Sequence, residues 1–212
     1  GGTKIEEWTP PFAYKESPKF KDSTLVLDFT IDGIKPGKKF EGMIFPLIPY
    51  TIKGVLWYQG ESNMMIHDSL RYADKFKLMI ETWRKLWNQP DLPFYYAQIA
   101  PFYYTKRTKD RYKHTPETLP ITWEAQLKCM SLPNVGMIVT TDLVNNLDDI
   151  HPFNKWDVAH RFALWALAKE YDKNVVYSGP IYKSMKIKKN KIILSFDHCG
   201  SGLISKDGKP LS

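Results

Sequence analysis

Gly54-Val55-Leu56-Trp57-Tyr58-Gln59-Gly60-Glu61-Ser62-Asn63 reads as a buried strand that runs straight into a polar cluster. The apolar run stops at Tyr58, and an amide, a glycine, a carboxylate, a hydroxyl and a second amide follow it. In an open α/β sheet, ligands bind just beyond the carboxyl ends of the strands. A strand that spills such groups at its end therefore marks both a sheet and the rim of a site. A capped polar turn would read the same way in isolation, so the flanking segments decide.

Downstream, Leu70, Phe76, Met79, Ile80, Trp83 and Trp87 recur at three- and four-residue steps with Lys and Arg between them, which predicts a helix over 69–87. Asp68 is placed to cap its start, and Gln89-Pro90 marks its stop. The methionine and tryptophan stripe reads as core packing. Phe94–Ala100 is a second buried strand, and Pro101–Pro120 a long polar loop. A short helix follows over 122–130, then a third strand over Val135–Thr141. Asn145–Asn154 is a loop, and Asn154 with Asp157 three positions on resembles a capping box for a helix ending near Tyr171. Upstream, Trp8-Thr9-Pro10-Pro11-Phe12 cannot be helical for long, Thr24–Ile31 reads as a strand, and Met43–Tyr50 as a short helix or turn limited by Pro46 and Pro49. Beyond Asn174 the pattern turns β: Val175–Tyr177, Met185–Ile187 and Lys191–Phe196, with Asn190 at a hairpin turn. Strands alternating with helices predict an α/β domain with a mainly parallel sheet over residues 1–174. Residues 175–212 read as the beginning of a β-rich module.

Composition narrows the function classes. A chain of 212 residues suits one domain or slightly more, and 7 Trp, 12 Tyr and 11 Phe exclude a disordered chain. No apolar run approaches the roughly 20 residues of a membrane span. The net charge of +7 traces to lysines within 15–39 and 183–191 that alternate with apolar residues, as solvated faces do. No nucleic-acid motif accompanies them. Cys129 and Cys199 lack the paired spacing of a zinc site, and a disulfide between them stays open. No basic-then-apolar leader is present. The chain opens on Gly1-Gly2-Thr3 without an initiator Met and closes straight after a strand-like run, so it reads as an internal segment.

The second polar cluster is Asp148-Asp149-Ile150-His151-Pro152, between the third strand and the next helix and so on the same rim as Gln59–Asn63. A histidine titrates near neutrality and can move a proton between a hydroxyl and a leaving group. A carboxylate beside it can hold the useful tautomer. Gln59 offers an amide donor next to Gly60, where a substrate can approach the backbone closely, and donors aimed at a developing oxyanion are usually the largest catalytic contribution. Glu61 would orient such donors or bind substrate. Gly60-Glu61-Ser62-Asn63-Met64 approaches a nucleophile elbow but carries Met64 where the second glycine belongs. His67, His114, His160 and His198 stand singly among surface-like residues. Two rival readings remain: a glycosidase using Glu61 and Glu124, and a carbohydrate-binding module stacking sugars on the aromatic loop Phe102–Tyr112.

Trp57–Asn63 joined with Asp149-Ile150-His151-Pro152-Phe153-Asn154-Lys155 resembles the sialate O-acetylesterases, carbohydrate esterases of the SGNH-hydrolase type that include enzymes described as acetylxylan esterases. Supporting stretches are Gly1-Gly2-Thr3 with Trp8, Gly42–Tyr50, Ala163–Leu167 and Tyr177–Pro180. The resemblance implies a flavodoxin-like three-layer α/β/α fold and removal of acetyl groups from sugars such as sialic acid or xylan. It implies that His151 is the base, supported by Asp148 or Asp149, that Gln59, Gly60, Glu61 and Asn63 build the oxyanion hole and substrate contacts, and that neither cofactor nor metal takes part. It implies an acetylated glycan as partner and a secreted or periplasmic location. The family's nucleophilic serine lies in a Gly-x-Ser-Asn motif after its first strand, and none occurs here upstream of Gly54. The nucleophile is therefore expected outside this chain, and the segment alone is expected to be inactive.

Overall fold

The structure, a computed structural model, describes residues 2–203, 205, 208 and 209. The chain divides into two compact units, Gly1–Ala159 and His160–Ser212. The regular elements are α1 (Ile5–Trp8), α2 (Pro11–Glu16), β1 (Val55–Trp57), α3 (Glu61–Met65), α4 (Arg71–Leu86), β2 (Phe94–Ala97), α5 (Thr118–Lys128), β3 (Val135–Ile138), α6 (Lys155–Glu170), β4 (Ile181–Lys188) and β5 (Lys191–Asp197). The boundary between the units falls inside α6.

In the first unit β1, β2 and β3 form a parallel sheet in sequence order, with Trp57 beside Tyr96 and Tyr96 beside Met137. Parallel neighbours need crossovers, and right-handed crossovers in a sequentially ordered sheet put successive helices on one face. The crossovers α4 and α5 accordingly share one core. Tyr72, Phe76, Met79, Ile80 and Trp83 of α4 pack with Trp57, Phe94 and Tyr96 of the strands and with Ala125 and Cys129. Its rings meet edge to face: Trp57 lies 5.4 Å from Trp8 and 5.8 Å from Trp83, and Phe76 lies 5.0 Å from Tyr96. Each such pair adds about 0.5–1.5 kcal/mol beyond area burial. At the amino edge Arg84 donates to the carbonyls of Leu92 at 3.0 Å and Pro133 at 2.7 Å, fixing the chain just before β2 and β3.

Several expectations change. Thr24–Ile31 forms no strand. Leu25 and Leu27 are 84% and 99% exposed, and the sole pairing there is a bridge between Ile31 and Ile34. The strand-like pattern is present, but among the described residues no strand pairs with it. α5 starts at Thr118 rather than Thr122, because Pro120 falls in its first turn, where no intrahelical donor is needed. Asp68 does not cap α4. Leu70 holds that position without a side-chain cap, and Asp68 turns inward. Asn154 does cap α6: its Oδ1 accepts from the Asp157 amide at 3.2 Å, and Asp157 in turn accepts from the Asn154 side chain at 2.8 Å. Cys129 and Cys199 are both free.

The second unit carries the expected hairpin. β4 and β5 pair antiparallel, with Lys188 beside Lys191 across a Lys189-Asn190 turn in which Lys189 takes φ +54°. Val175–Tyr177 is not a strand. Tyr177 instead packs its ring 4.7 Å from Trp165 and 5.2 Å from His198. Among the described residues no helix is long and apolar enough to cross a membrane.

Candidate active site at the carboxyl edge of the sheet

The three strands end together, so Gln59, Ile99 and Thr140 leave the sheet at one edge. Strand ends lose their ladder partners there, and side chains replace them. Gln126 from α5 accepts from the Ile99 amide at 3.0 Å and donates to the Ala97 carbonyl at 3.3 Å, while Thr140 donates to the Gln98 carbonyl at 3.1 Å.

After β1 the chain turns at Gly60, whose φ is +150°, and a Cβ there would lie 2.8 Å from Ile99 Cγ2. Only glycine fits, and the close approach it permits is to Ile99. α3 begins at Glu61 and buries Asn63 completely. Every hydrogen-bonding position of the Asn63 side chain is used. Its Nδ2 donates to Glu6 Oε2 at 2.9 Å and Asp68 Oδ2 at 2.7 Å, and its Oδ1 accepts from the Ile5 amide at 2.9 Å and from Gln59 Nε2 at 2.7 Å. Gln59 spends its second amide proton on the Thr3 carbonyl at 2.9 Å, and its Oε1 accepts from the Tyr72 hydroxyl at 3.0 Å. The side-chain donors of Gln59 and Asn63 are thus committed inside the protein. The backbone N–H groups of Gly60 and Glu61 donate to no carbonyl among the described residues.

Behind this motif lies a charged cluster. Lys75, fully buried, contacts Glu6, Asp68 at 2.5 Å and Asp32 at 2.6 Å, and Arg71 reaches Asp32 at 3.0 Å. Burial works to lower the Lys75 pKa, but Glu6, Asp68 and Asp32 outweigh it and hold it above the ordinary lysine value. Burial also lifts the Asp68 carboxyl above its ordinary range, against the pull of Lys75. The carboxylates of Glu6, Asp32 and Asp68 lie mutually within 4.8 Å, as metal ligands would, but the Lys75 ammonium is already among them as their cation. Sequence reasoning missed this lysine. Its signal was position, since Lys75 falls three residues after Tyr72 and four before Met79, on the apolar stripe of α4.

Gln59 and Glu61 open onto a cleft of about 460 Å³ lined also by Thr3, Trp8, Lys39, Met43 and Tyr58. Glu61 makes no hydrogen bond or ion pair there among the described residues. Burial, reinforced by the Glu61 charge, pushes the Tyr58 phenol up to about 12.

The second motif is held differently. Asp149 Oδ1 accepts from the His151 backbone amide at 2.8 Å, and Asp148 pairs with Lys106 at 2.6 Å on the surface. The His151 imidazole is exposed and makes no hydrogen bond among the described residues, so neither aspartate holds its ring. Two contacts tie this loop to the first motif. Ile150 packs against the cluster of Met64, Ile99 and Tyr104, and the Lys155 ammonium lies 5.2 Å from the centre of the Tyr58 ring.

The remaining candidates fall elsewhere. Ser62 lies inside α3 with ordinary backbone geometry rather than at the turn an elbow requires. Glu124 is on the solvent side of α5, 55% exposed and paired with Lys128 at 3.0 Å, which removes it from a carboxylate pair with Glu61. His114 is buried rather than at the surface, its Nε2 3.0 Å from Asp110, whose carboxylate also takes two bonds from Arg107.

The model of the family described as SASA, carbohydrate esterase, sialic acid-specific acetylesterase, matches residues 1–163. Sialate O-acetylesterase of Homo sapiens is 29% identical over 214 residues, covering 93% of this chain and 40% of that protein. Its Mus musculus counterpart is 33% identical over 175 residues, covering 75% of this chain and 31% of that protein. The crystal structure of a carbohydrate acetylesterase from Xanthomonas citri superposes with a TM-score of 0.75 at 32% identity, over 93% of this chain and 41% of that one. The chain spans about two fifths of the length of the human relative and of that structure.

Proposed function

Because this chain belongs to the sialic acid-specific acetylesterase family of carbohydrate esterases, we propose that it forms part of an enzyme that removes acetyl groups from O-acetylated sugars. Residues 1–174 are read as a portion of a three-layer α/β/α esterase domain, and 175–212 as the start of a β-rich module. A secreted or periplasmic location follows from the substrate class. The observation that carries the reading is the placement of both motifs on one sheet edge with a shared apolar anchor, Ile150 on the Met64–Ile99–Tyr104 cluster.

In this reading a serine hydroxyl supplied from outside residues 1–212 attacks the acetyl carbonyl. His151 takes its proton and passes it to the departing sugar oxygen, and then activates the water that releases acetate. Asp148 or Asp149 turns to the imidazole when substrate organises the loop. The oxyanion is met by backbone N–H groups of the Gln59-Gly60-Glu61 segment, since the side-chain protons of Gln59 and Asn63 are engaged. Glu61 faces the sugar from the cleft.

The test is acetate release from O-acetylated sialic acid and xylan by the protein that carries this chain. His151→Ala is expected to lower kcat/KM by about 10³-fold or more with an unchanged unfolding transition, because the side chain is exposed. Ser62→Ala is expected to leave the rate intact. Near-wild-type turnover in His151→Ala would end the proposal, and loss of activity in Ser62→Ala would move the nucleophile into α3.

A further inference from the structure

We propose that Lys75 is a positioning residue for the cleft, acting through Glu6 and Asp68 on Asn63, and through Asn63 on Gln59 and the Thr3–Ile5 backbone. The inference rests on the functional reading only in taking the cleft for the substrate's.

The chain of orientation follows from donor and acceptor types. An ionised carboxylate only accepts hydrogen bonds. The Asn63 atom that faces both Glu6 and Asp68, at 2.9 and 2.7 Å, is therefore its NH₂ group. Its oxygen must then face Ile5 N–H and Gln59, at 2.9 and 2.7 Å. An oxygen there demands that Gln59 present its own NH₂, whose second proton goes to the Thr3 carbonyl at 2.9 Å. The Gln59 oxygen is left for the Tyr72 hydroxyl at 3.0 Å. Reversing either amide would set acceptor against acceptor. The polarity of the whole chain is fixed at one end by two carboxylates held as acceptors, and the group that holds them is the fully buried Lys75 ammonium, in contact with both.

What this fixes is a wall of the cleft. Thr3 and Trp8 line it from the amino-terminal segment, and Gln59 and Glu61 from the strand end. These two stretches are more than fifty residues apart in sequence, and bonds from Ile5 and Thr3 to the two amides join them. A hydrophobic residue in place of Lys75 would leave Glu6 and Asp68 side by side without their cation. Protonation of either would give it a donor, and the Asn63 NH₂ group would lose one of the two acceptors that hold it.

The experiment reads the amides directly. Side-chain NH₂ signals of Gln59 and Asn63 are followed by ¹H–¹⁵N NMR hydrogen exchange in wild type, in Lys75→Met and in the milder Asp68→Asn, which keeps Lys75 and Glu6 should the first variant fail to fold. The expected result is at least a tenfold loss of Gln59 side-chain protection while the backbone amides of β2 keep theirs. A purely structural role would lower both together, and that outcome, or unchanged Gln59 protection in a folded variant, overturns the inference. In the protein that carries this chain, Asp68→Asn is further expected to raise KM for the acetylated sugar about tenfold with a smaller change in kcat. Loosened Gln59 with an unaltered KM would overturn its link to the cleft. A wild-type protein without esterase activity would sink the functional reading alone, and the exchange contrast would still decide the network.

Discussion

The Gln59–Asn63 segment and the Asp148–His151 segment leave the same edge of one sheet, yet their polar groups are treated in opposite ways. In the first, two amides and the carboxylates behind them are buried, and the amides bond to each other, to the carboxylates, to Tyr72 and to the Thr3 and Ile5 backbone. In the second, the charged groups lie at the surface, one carboxylate spends itself on a backbone amide, and the imidazole makes no hydrogen bond among the described residues. Buried polar networks are stiff because each member left unpaired costs about 1–3 kcal/mol. Exposed loops pay no such penalty when they move. In the proposed mechanism this difference is a division of labour, the first segment setting the shape of the site and the second supplying the proton carrier from an exposed loop.

Asn63→Asp strikes this contrast hardest. It keeps the shape but places a third carboxylate against Glu6 and Asp68, with Lys75 already shared between them. An uncompensated charge in such a place costs about 3–5 kcal/mol. The cost has a definite pH dependence. Crowding raises the carboxyl pKa at residue 63 in the native state above its unfolded value near 4. The native protein therefore holds a proton that the unfolded chain releases, and the deficit grows as pH rises above about 4. Urea unfolding at about pH 5 and about pH 8 should show the larger deficit at the higher pH. A deficit below about 1 kcal/mol at the higher pH would mean that the site is wet and pliable, and the contrast would collapse.

Gly60→Ala comes next. The added methyl meets Ile99 Cγ2 at 2.8 Å on a backbone with φ +150°, for an expected loss of about 1–3 kcal/mol. Ile99→Ala in the same chain removes the clash but not the backbone strain. The double variant should therefore recover part of the Gly60→Ala loss relative to Ile99→Ala alone. Strict additivity would show that the turn is not wedged against Ile99, just past the end of β2.

These two regions were also unequally legible in the sequence. β1, α4, β2 and β3 follow from apolar runs and helical spacing, which report burial against whatever lies beside the element. The rim motifs were legible because polar residues clustered at strand ends. The Lys75 cluster was not, because its partners Glu6 and Asp32 come from segments more than forty residues away, and local pattern treats a lysine in a helix as a solvated spacer. Asp68 is a different case: a carboxylate before a helix usually caps it, and here the side-chain amide of Asn63 and the Lys75 ammonium, both close in sequence, claim it first. His114 looked like a surface residue until Asp110 and the Arg107 fork enclosed it. Thr24–Ile31 carries a strand pattern with no strand to pair with among the described residues, which local pattern alone does not reveal.

The smallest expected effect tests the loose side of the contrast. Lys106 and Asp148 form an ion pair with side chains 59% and 60% exposed. Pairs of this kind contribute about 0.2–1 kcal/mol, part of which salt screens away. Lys106→Ala should therefore change the unfolding free energy by less than about 1 kcal/mol, with the difference shrinking at high salt. The apolar grip of Ile150 on Met64, Ile99 and Tyr104 would remain, so the loop would stay on the sheet edge while Asp148 became free to turn toward His151. A loss above about 1 kcal/mol that persists at high salt would show the loop to be clamped by its charges. The two segments would then be equally rigid, and the turn of Asp148 toward His151 would have to come from substrate rather than from the fold.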